Sequence, residues 1–267
     1  MNKTQEERLN YLIEKFKEES SEYKNVPIPA SIEDKKIMLR SLLNIRPPKE
    51  ISTEILKVQD EYLKERAKQT GIVYLKDIKT IKEKISVWQG DITRLCCDAI
   101  VNAANNRMLG CFVPMHICID NCIHTFAGVQ LRNECNKIMT EFKKKYGINY
   151  KQPTAVPIIT NGYNLPSKKV IHVVGPIVSE KLTLSLKQDL ANCYKNILDM
   201  CSKNNLKSVA FCCISTGVFS FPNKIAAKIA VDTVTNWLKQ NENKIDRIIF
   251  NVFKQEDKKY YEEFLAN

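Results

Sequence analysis

Apolar residues in the first 80 positions recur at helical spacing, whereas beyond position 85 they gather into short β-branched runs between longer amphipathic segments. Leu9, Leu12, Ile13 and Phe16 fall at i, i+3, i+4 and i+7, behind Thr4 and Glu7 in capping-box spacing. Ser31 can cap a second helix carrying Ile37, Met38, Leu42 and Leu43, ended by Pro47-Pro48. Ser52 starts a third, with Ile55, Val58, Tyr62 and Leu63 on one side and Gly71 just past its end. These helices have apolar faces but no chemical cluster. Residues 1–80 therefore read as a helical N-terminal extension and 81–267 as the main domain.

In the main domain, strands are predicted at 85–89, 99–102, 155–159, 170–174, 209–213 and 248–252, and helices over 120–142, 184–201, 224–239 and 257–264. Such alternation predicts an α/β fold, with a sheet covered by helices on both faces and ligands held beyond the strand ends. The eight glycines form neither Gly-x-Gly-x-x-Gly nor Gly-x4-Gly-Lys-Ser/Thr, so Rossmann and P-loop sites find no support.

Charge and cysteine usage sharpen the picture. The formal charge of +11 suits anionic ligands, but the lysines are spread over helical faces, as in Lys143-Lys144-Lys145, with no Arg-rich tail. A solvated surface is expected, and nucleic acid is not expected as a partner. No window approaches the roughly 20 apolar residues of a membrane span, and the N-terminus lacks a signal-peptide core. A cytoplasmic protein without a membrane partner is expected. In a reducing compartment, the ten cysteines read as inert core thiols plus a smaller group with metal or catalytic roles.

That smaller group lies in Cys111-Phe-Val-Pro-Met-His116-Ile-Cys118-Ile-Asp120-Asn121. Cys111, His116 and Cys118 form Cys-x4-His-x-Cys, a three-ligand set that suits zinc and leaves one position for water or substrate. Cys122 and His124 lie near enough in sequence to compete, although His124 and His172 read better as packed core histidines. Asp91, after Gly90, can accept from an exocyclic amine such as adenine's, while the Ile92 amide donates to a ring nitrogen; a plain N-cap role competes. Asn105 and Asn106 suit ribose hydroxyls or a turn. Ser215-Thr216-Gly217-Val218-Phe219-Ser220-Phe221-Pro222 joins a strand to a helix, where backbone N–H groups can cradle a pyrophosphate and Gly217 permits close approach.

In order along the chain, Trp88-Gln-Gly-Asp91-Ile92-Thr, Ala99-Ile-Val-Asn-Ala-Ala-Asn105, Gly162-Tyr-Asn-Leu-Pro166, Val170-Ile-His-Val-Val-Gly-Pro176 and Ser215-Thr-Gly-Val-Phe-Ser-Phe-Pro222 resemble the macrodomain family. The usual glycine run after Asn105 is replaced by the Cys-His-Cys loop, which resembles the family's zinc-dependent microbial branch of protein-ADP-ribose hydrolases. Leu42-Leu-Asn-Ile-Arg46-Pro-Pro48 and Val58-Gln-Asp-Glu-Tyr62 resemble that branch's helical extension. The resemblance implies a three-layer α/β/α macrodomain sandwich with a mixed sheet. It implies that Asp91 and Ile92 hold adenine, that Phe253 stacks on it, and that Ser215, Thr216, Gly217, Val218 and Phe219 wrap the pyrophosphate. It further implies that Asn105 contacts the distal ribose beside Cys118, Ile119 and Asp120, and that one zinc is bound by Cys111, His116 and Cys118. The implied reaction removes mono-ADP-ribose from an acidic side chain of a modified protein, with Asn105 and Asp120 orienting the ribose and zinc as the catalytic cofactor. The implied partners are a lipoyl-carrier protein resembling the glycine-cleavage H protein and a sirtuin-class ADP-ribosyltransferase. A non-catalytic ADP-ribose reader and an O-acetyl-ADP-ribose deacetylase are the competing functions.

Overall fold

A computed structural model describes residues 3–266. The chain divides into two compact units, one made of the segments up to Gly71, Leu109–Ile148 and Tyr163–Leu165, the other of Ile72–Met108, Asn149–Gly162 and the chain from Pro166 onward.

The first unit is helical: α1 (Gln5–Glu18), α2 (Ile32–Ile45), α3 (Thr53–Thr70), α4 (Ile119–Ala127) and α5 (Val129–Tyr146). The capping box at α1 forms, with Glu7 N–H donating to Thr4 Oγ1 at 3.2 Å and Thr4 N–H to Glu7 Oε2 at 2.6 Å. Ser31 and Ser52 cap α2 and α3 through one bond each, their side chains accepting from Asp34 N–H and Ile55 N–H. Leu9, Leu12, Ile13 and Phe16 of α1 pack with Met38, Leu39, Leu42 and Leu43 of α2 and with Val58, Tyr62 and Leu63 of α3. The stripe that packs on α2 includes Leu39 and leaves the expected Ile37 exposed on its flank.

The helix expected over 120–142 is two helices, because Gly128 at φ +93° leaves the helical region. There the Gln59 side chain takes over the missing backbone bond, its Oε1 accepting from Val129 N–H at 3.1 Å. A Cβ on Gly128 would lie 2.7 Å from both Gln59 Nε2 and Gln130 Oε1.

The second unit carries β1 (Val73–Tyr74), β2 (Ile85–Gln89), β3 (Leu95–Cys96), β4 (Ala99–Ala103), β5 (Ile158–Asn161), β6 (Lys169–Val173), α6 (Leu184–Lys203), β7 (Ser208–Phe211), α7 (Asn223–Gln240), β8 (Arg247–Val252) and α8 (Gln255–Ala266). β1 and β3 form a small parallel pair, and the main sheet runs β2-β8-β7-β4-β6-β5, parallel except for β5. The run expected as a strand at 155–159 yields a strand only from Ile158: Pro157 has no N–H for the ladder, and Ala155 turns at φ +61°. Tyr194, Phe211, Phe250 and Tyr261 form a continuous buried aromatic row, with successive ring centroids 5.1, 6.2 and 4.7 Å apart. The result is an α/β fold with a mixed sheet, preceded by N-terminal helices, as expected from the sequence.

His172, on β6 next to the edge strand β5, is fully buried. Its Nδ1 lies 3.0 Å from Asn102 Nδ2 and its Nε2 2.9 Å from Thr160 Oγ1, which fits a neutral ring accepting from the amide and donating to the hydroxyl. Desolvation pushes its pKa down to about 3. An unfolded histidine titrates near 6.5, so as pH falls below that value only the unfolded chain gains the proton. The stability present above pH 6.5 is then lost progressively towards pH 3, about 2 kcal/mol of it by pH 5. Urea midpoints at about pH 7.5 and about pH 5 should converge in His172→Gln relative to the native chain; an unchanged acid slope would refute the assignment.

Candidate active site

Five parallel strands end on the same edge of the sheet, and their loops carry the residues singled out from the sequence. Asp91 follows β2, Asn105 follows β4, Gly175 follows β6, Ser215–Phe219 follows β7 and Phe253 follows β8. After β4 the chain passes to β5 and β6 on one side of it, whereas after β7 it passes to β8 on the other side. The order therefore reverses between β4 and β7, where open α/β sheets bind ligands.

Asp91 caps a short 3-10 turn, its Oδ1 accepting from Thr93 N–H at 2.9 Å and Thr93 Oγ1 at 2.7 Å. The N-cap role is thus observed, and Oδ2 meets no donor among the described residues. Asn251, which sequence reasoning passed over, fixes this turn by donating to Trp88 O at 3.3 Å and Gly90 O at 2.9 Å. Ile92 is buried, while Phe253 presents 77% of its surface to solvent. Asn105 turns the chain after β4, its Oδ1 accepting from Arg107 N–H at 3.0 Å.

Ser215 is buried at φ +66°, and the loop it opens is pinned by Phe221 N–H to Ser215 O at 3.0 Å and Val178 N–H to Phe219 O at 3.0 Å. Among the described residues, the N–H groups of Gly217, Val218 and Phe219 have no protein acceptor. Three adjacent unpaired donors, on a loop followed by the N-terminus of α7, suit an anion. A side chain on Gly217 would meet nothing within 4 Å, so crowding inside the protein does not demand glycine there.

In the helical unit, donor atoms of Cys111, His116 and Cys118 converge within 4.8 Å of one another, all three side chains being partly exposed. Cys111 Sγ lies 3.5 Å from His116 Nδ1. A tetrahedral ion with bonds of about 2.3 Å to sulfur and about 2.1 Å to nitrogen separates such donors by about 3.6 Å, so the residues present fit zinc. Burial pushes the Cys118 thiol up to about 12, and a metal ion has to displace its proton to gain the thiolate.

Cys118 is also the N-cap of α4, its sulfur accepting from Asn121 N–H at 3.4 Å. Asn121 is a fully buried hub absent from the residues singled out from the sequence, donating to Val113 O at 2.9 Å and Cys111 O at 3.3 Å. Arg132 stacks on Phe112 at 4.3 Å and donates to Leu109 O at 2.8 Å, holding the start of the loop. Ile119 is half-buried beside Cys118. Asp120 is buried, with Oδ1 3.5 Å from His124 Nε2, so His124 is a packed core histidine as expected. Cys122 lies outside the triad, 3.5 Å from Arg40 Nη2.

The Macro domain pattern matches residues 101–230. A Treponema medium protein named protein-ADP-ribose hydrolase is 48% identical over 267 residues, covering 98% of this chain and 100% of that protein. The chain belongs to the macrodomain family. A Staphylococcus aureus (strain MRSA252) protein of the same name is 44% identical to this macrodomain protein over 263 residues, covering 98% of this chain and 96% of the other. Among solved structures, the Trypanosoma brucei macrodomain in complex with ADP-ribose is similar at a TM-score of 0.63 and 27% identity, across 84% of this macrodomain protein and 94% of the other chain. Among its described residues, no helix is long and apolar enough to cross a membrane.

Proposed function

We propose that this macrodomain protein is a zinc-dependent hydrolase that removes mono-ADP-ribose from an acidic side chain of a modified protein. Two relatives similar over nearly the whole chain bear the name protein-ADP-ribose hydrolase, which supports the reaction class. The observation that carries the finer reading is the convergence of Cys111, His116 and Cys118 within 4.8 Å. A domain that only binds ADP-ribose has no use for such a site. A lipoyl-carrier protein modified by a sirtuin-class transferase is the first substrate to try.

In this reading the sheet edge binds the nucleotide. Asp91 accepts from the adenine amine, the Ile92 amide donates to the ring, and Phe253 stacks on its face. The unpaired N–H groups of Gly217, Val218 and Phe219, with Ser215 and Thr216, hold the pyrophosphate. Asn105 orients the distal ribose at this edge, while Cys118, Ile119 and Asp120 are assigned to that sugar only by the resemblance to the zinc-dependent branch. This remote binding fixes the bond to be cleaved and lowers the entropic part of the barrier. Zinc, when bound by the three side chains, supplies Lewis acidity at the ribose–carboxylate linkage.

The deciding experiment is single-turnover release of free ADP-ribose from an aspartate- or glutamate-linked protein, with O-acetyl-ADP-ribose run in parallel. Tight binding without release, or cleavage of the acetyl ester alone, would overturn the proposal. A further prediction concerns Phe253. Because its ring is mostly in solvent, Phe253→Ala should leave folding intact but remove about 1–3 kcal/mol of base stacking. Titration calorimetry should find ADP-ribose bound about five- to 150-fold more weakly, with kcat at saturation near the native value; native affinity would take Phe253 out of the adenine site.

A further inference from the structure

The N-terminal helices carry apolar faces and read from sequence as an extension without chemistry, yet two polar residues of α2 reach the metal-binding loop. Arg40 and Asn44 stand one turn apart on the same face of α2. Asn44 is fully buried; its Oδ1 accepts from Met115 N–H at 3.0 Å and its Nδ2 donates to Thr125 Oγ1 at 2.7 Å. Arg40 Nη2 donates to His116 O at 2.9 Å and to Asn121 Oδ1 at 3.2 Å. The backbone is therefore gripped at the N–H just before His116 and at the carbonyl of His116 itself.

Two further features make this grip more than general packing. Met115 sits at φ +57°, a left-handed conformation that a methionine adopts only when its surroundings impose it. Asn121, the second partner of Arg40, holds the carbonyl of Cys111 and donates its own N–H to the sulfur of Cys118. Through Asn121 and the loop backbone, Arg40 and Asn44 are thus connected to all three ligands. Thr125 closes the circuit, its hydroxyl donating to Asn121 O at 2.7 Å.

We propose that Arg40 and Asn44 are positioning residues that hold the Cys111–Cys118 loop in ligand geometry before the metal arrives, which makes α2 an outer support of the zinc site. The inference rests on the triad being a zinc site, as proposed above. Outer partners that orient metal ligands typically contribute ten- to a hundredfold in affinity. Since both residues act on one loop, their effects should be less than additive.

The test measures zinc affinity of the full chain by competition with a chromophoric chelator, for the native protein, Arg40→Gln, Asn44→Ala, the double variant and Arg40→Lys. Each chain is also melted with its metal removed, and the cobalt-substituted form is examined for the visible bands of a tetrahedral thiolate site. Arg40→Gln and Asn44→Ala should each raise the zinc Kd about ten- to a hundredfold and weaken the cobalt bands, with Arg40→Lys recovering part of the loss. A lower Tm without metal but a zinc Kd within about twofold of native would assign both residues to folding alone and overturn the inference. Should Asn44→Ala fail to fold, the half-exposed Arg40 variants decide the matter by the same Kd criterion. A native chain that takes up no zinc would sink the metal reading itself, an outcome distinct from native binding that the variants leave unchanged.

Discussion

Cys118→Ala should purify as a folded, zinc-deficient protein whose single-turnover release of ADP-ribose falls at least a hundredfold. The structural cost is small because the sulfur is only a weak cap for α4, accepting one 3.4 Å bond from Asn121 N–H, and a lost cap costs about 1 kcal/mol. The chemical cost is large because two ligands, Cys111 and His116, no longer fill three of the four positions of a tetrahedral ion. Removing an outer partner of a metal ligand already costs about ten- to a hundredfold, and removing the ligand itself costs more. Metal content and release must be measured on the same preparation. Native-rate release by metal-free protein would end the zinc proposal while leaving a hydrolase reading open. Restoration of the rate by added zinc in the native chain, but not in Cys118→Ala, is the expected complement.

The sheet was legible where burial on both faces forces continuous apolar runs, as at Ile100–Val101 in β4, Val170–Ile171 in β6 and Ile248–Phe250 in β8. The N-terminal helices were legible from their serine and threonine caps. The break at Gly128 was not, because a lone glycine in an amphipathic stretch signals a helix end only when tertiary groups such as Gln59 are there to receive it. The start of β5 was hidden by apolar neighbours that Pro157 disqualifies from the ladder.

At the site, the chemistry-bearing types were visible in sequence: two thiols and an imidazole close together, and the turns after the strands. The side chains that arrange them were not. Asn121 and Asn44 act through backbone carbonyls and N–H groups, and those contacts exist only once α2 and α4 have come together in the helical unit. Asn251 is similar, since its value lies in reaching Trp88 and Gly90 from a neighbouring strand. An asparagine in an apolar run was the one available signal, because burying an amide is costly unless each of its groups finds a partner.

Gly175→Ala should damage the fold and the nucleotide site together. A Cβ there would stand 2.1 Å from Ser215 Oγ and 2.8 Å from Ile214 Cγ2, both far inside van der Waals contact. Rotating Ser215 Oγ away relieves only the nearer contact, because the Ile214 methyl still stands 2.8 Å from the new Cβ and Ser215 itself is buried at φ +66° with its carbonyl holding Phe221 N–H. Relief of the remaining contact has to come from movement of the loop backbone, which displaces the N–H groups of Gly217, Val218 and Phe219 proposed to hold the pyrophosphate. Overpacking of this kind costs about 1–3 kcal/mol, or a Tm lower by several degrees. A shifted set of donors should weaken ADP-ribose binding by tenfold or more. Ser215 Oγ makes no hydrogen bond in the protein, so Ser215→Ala removes the closest contact without leaving another group unpaired. The double variant Gly175→Ala/Ser215→Ala should therefore regain part of the lost Tm. A double variant no more stable than Gly175→Ala would show that the clash with Ser215 is not the cause. Unaltered ADP-ribose affinity in the single variant would detach the β7–α7 loop from pyrophosphate binding.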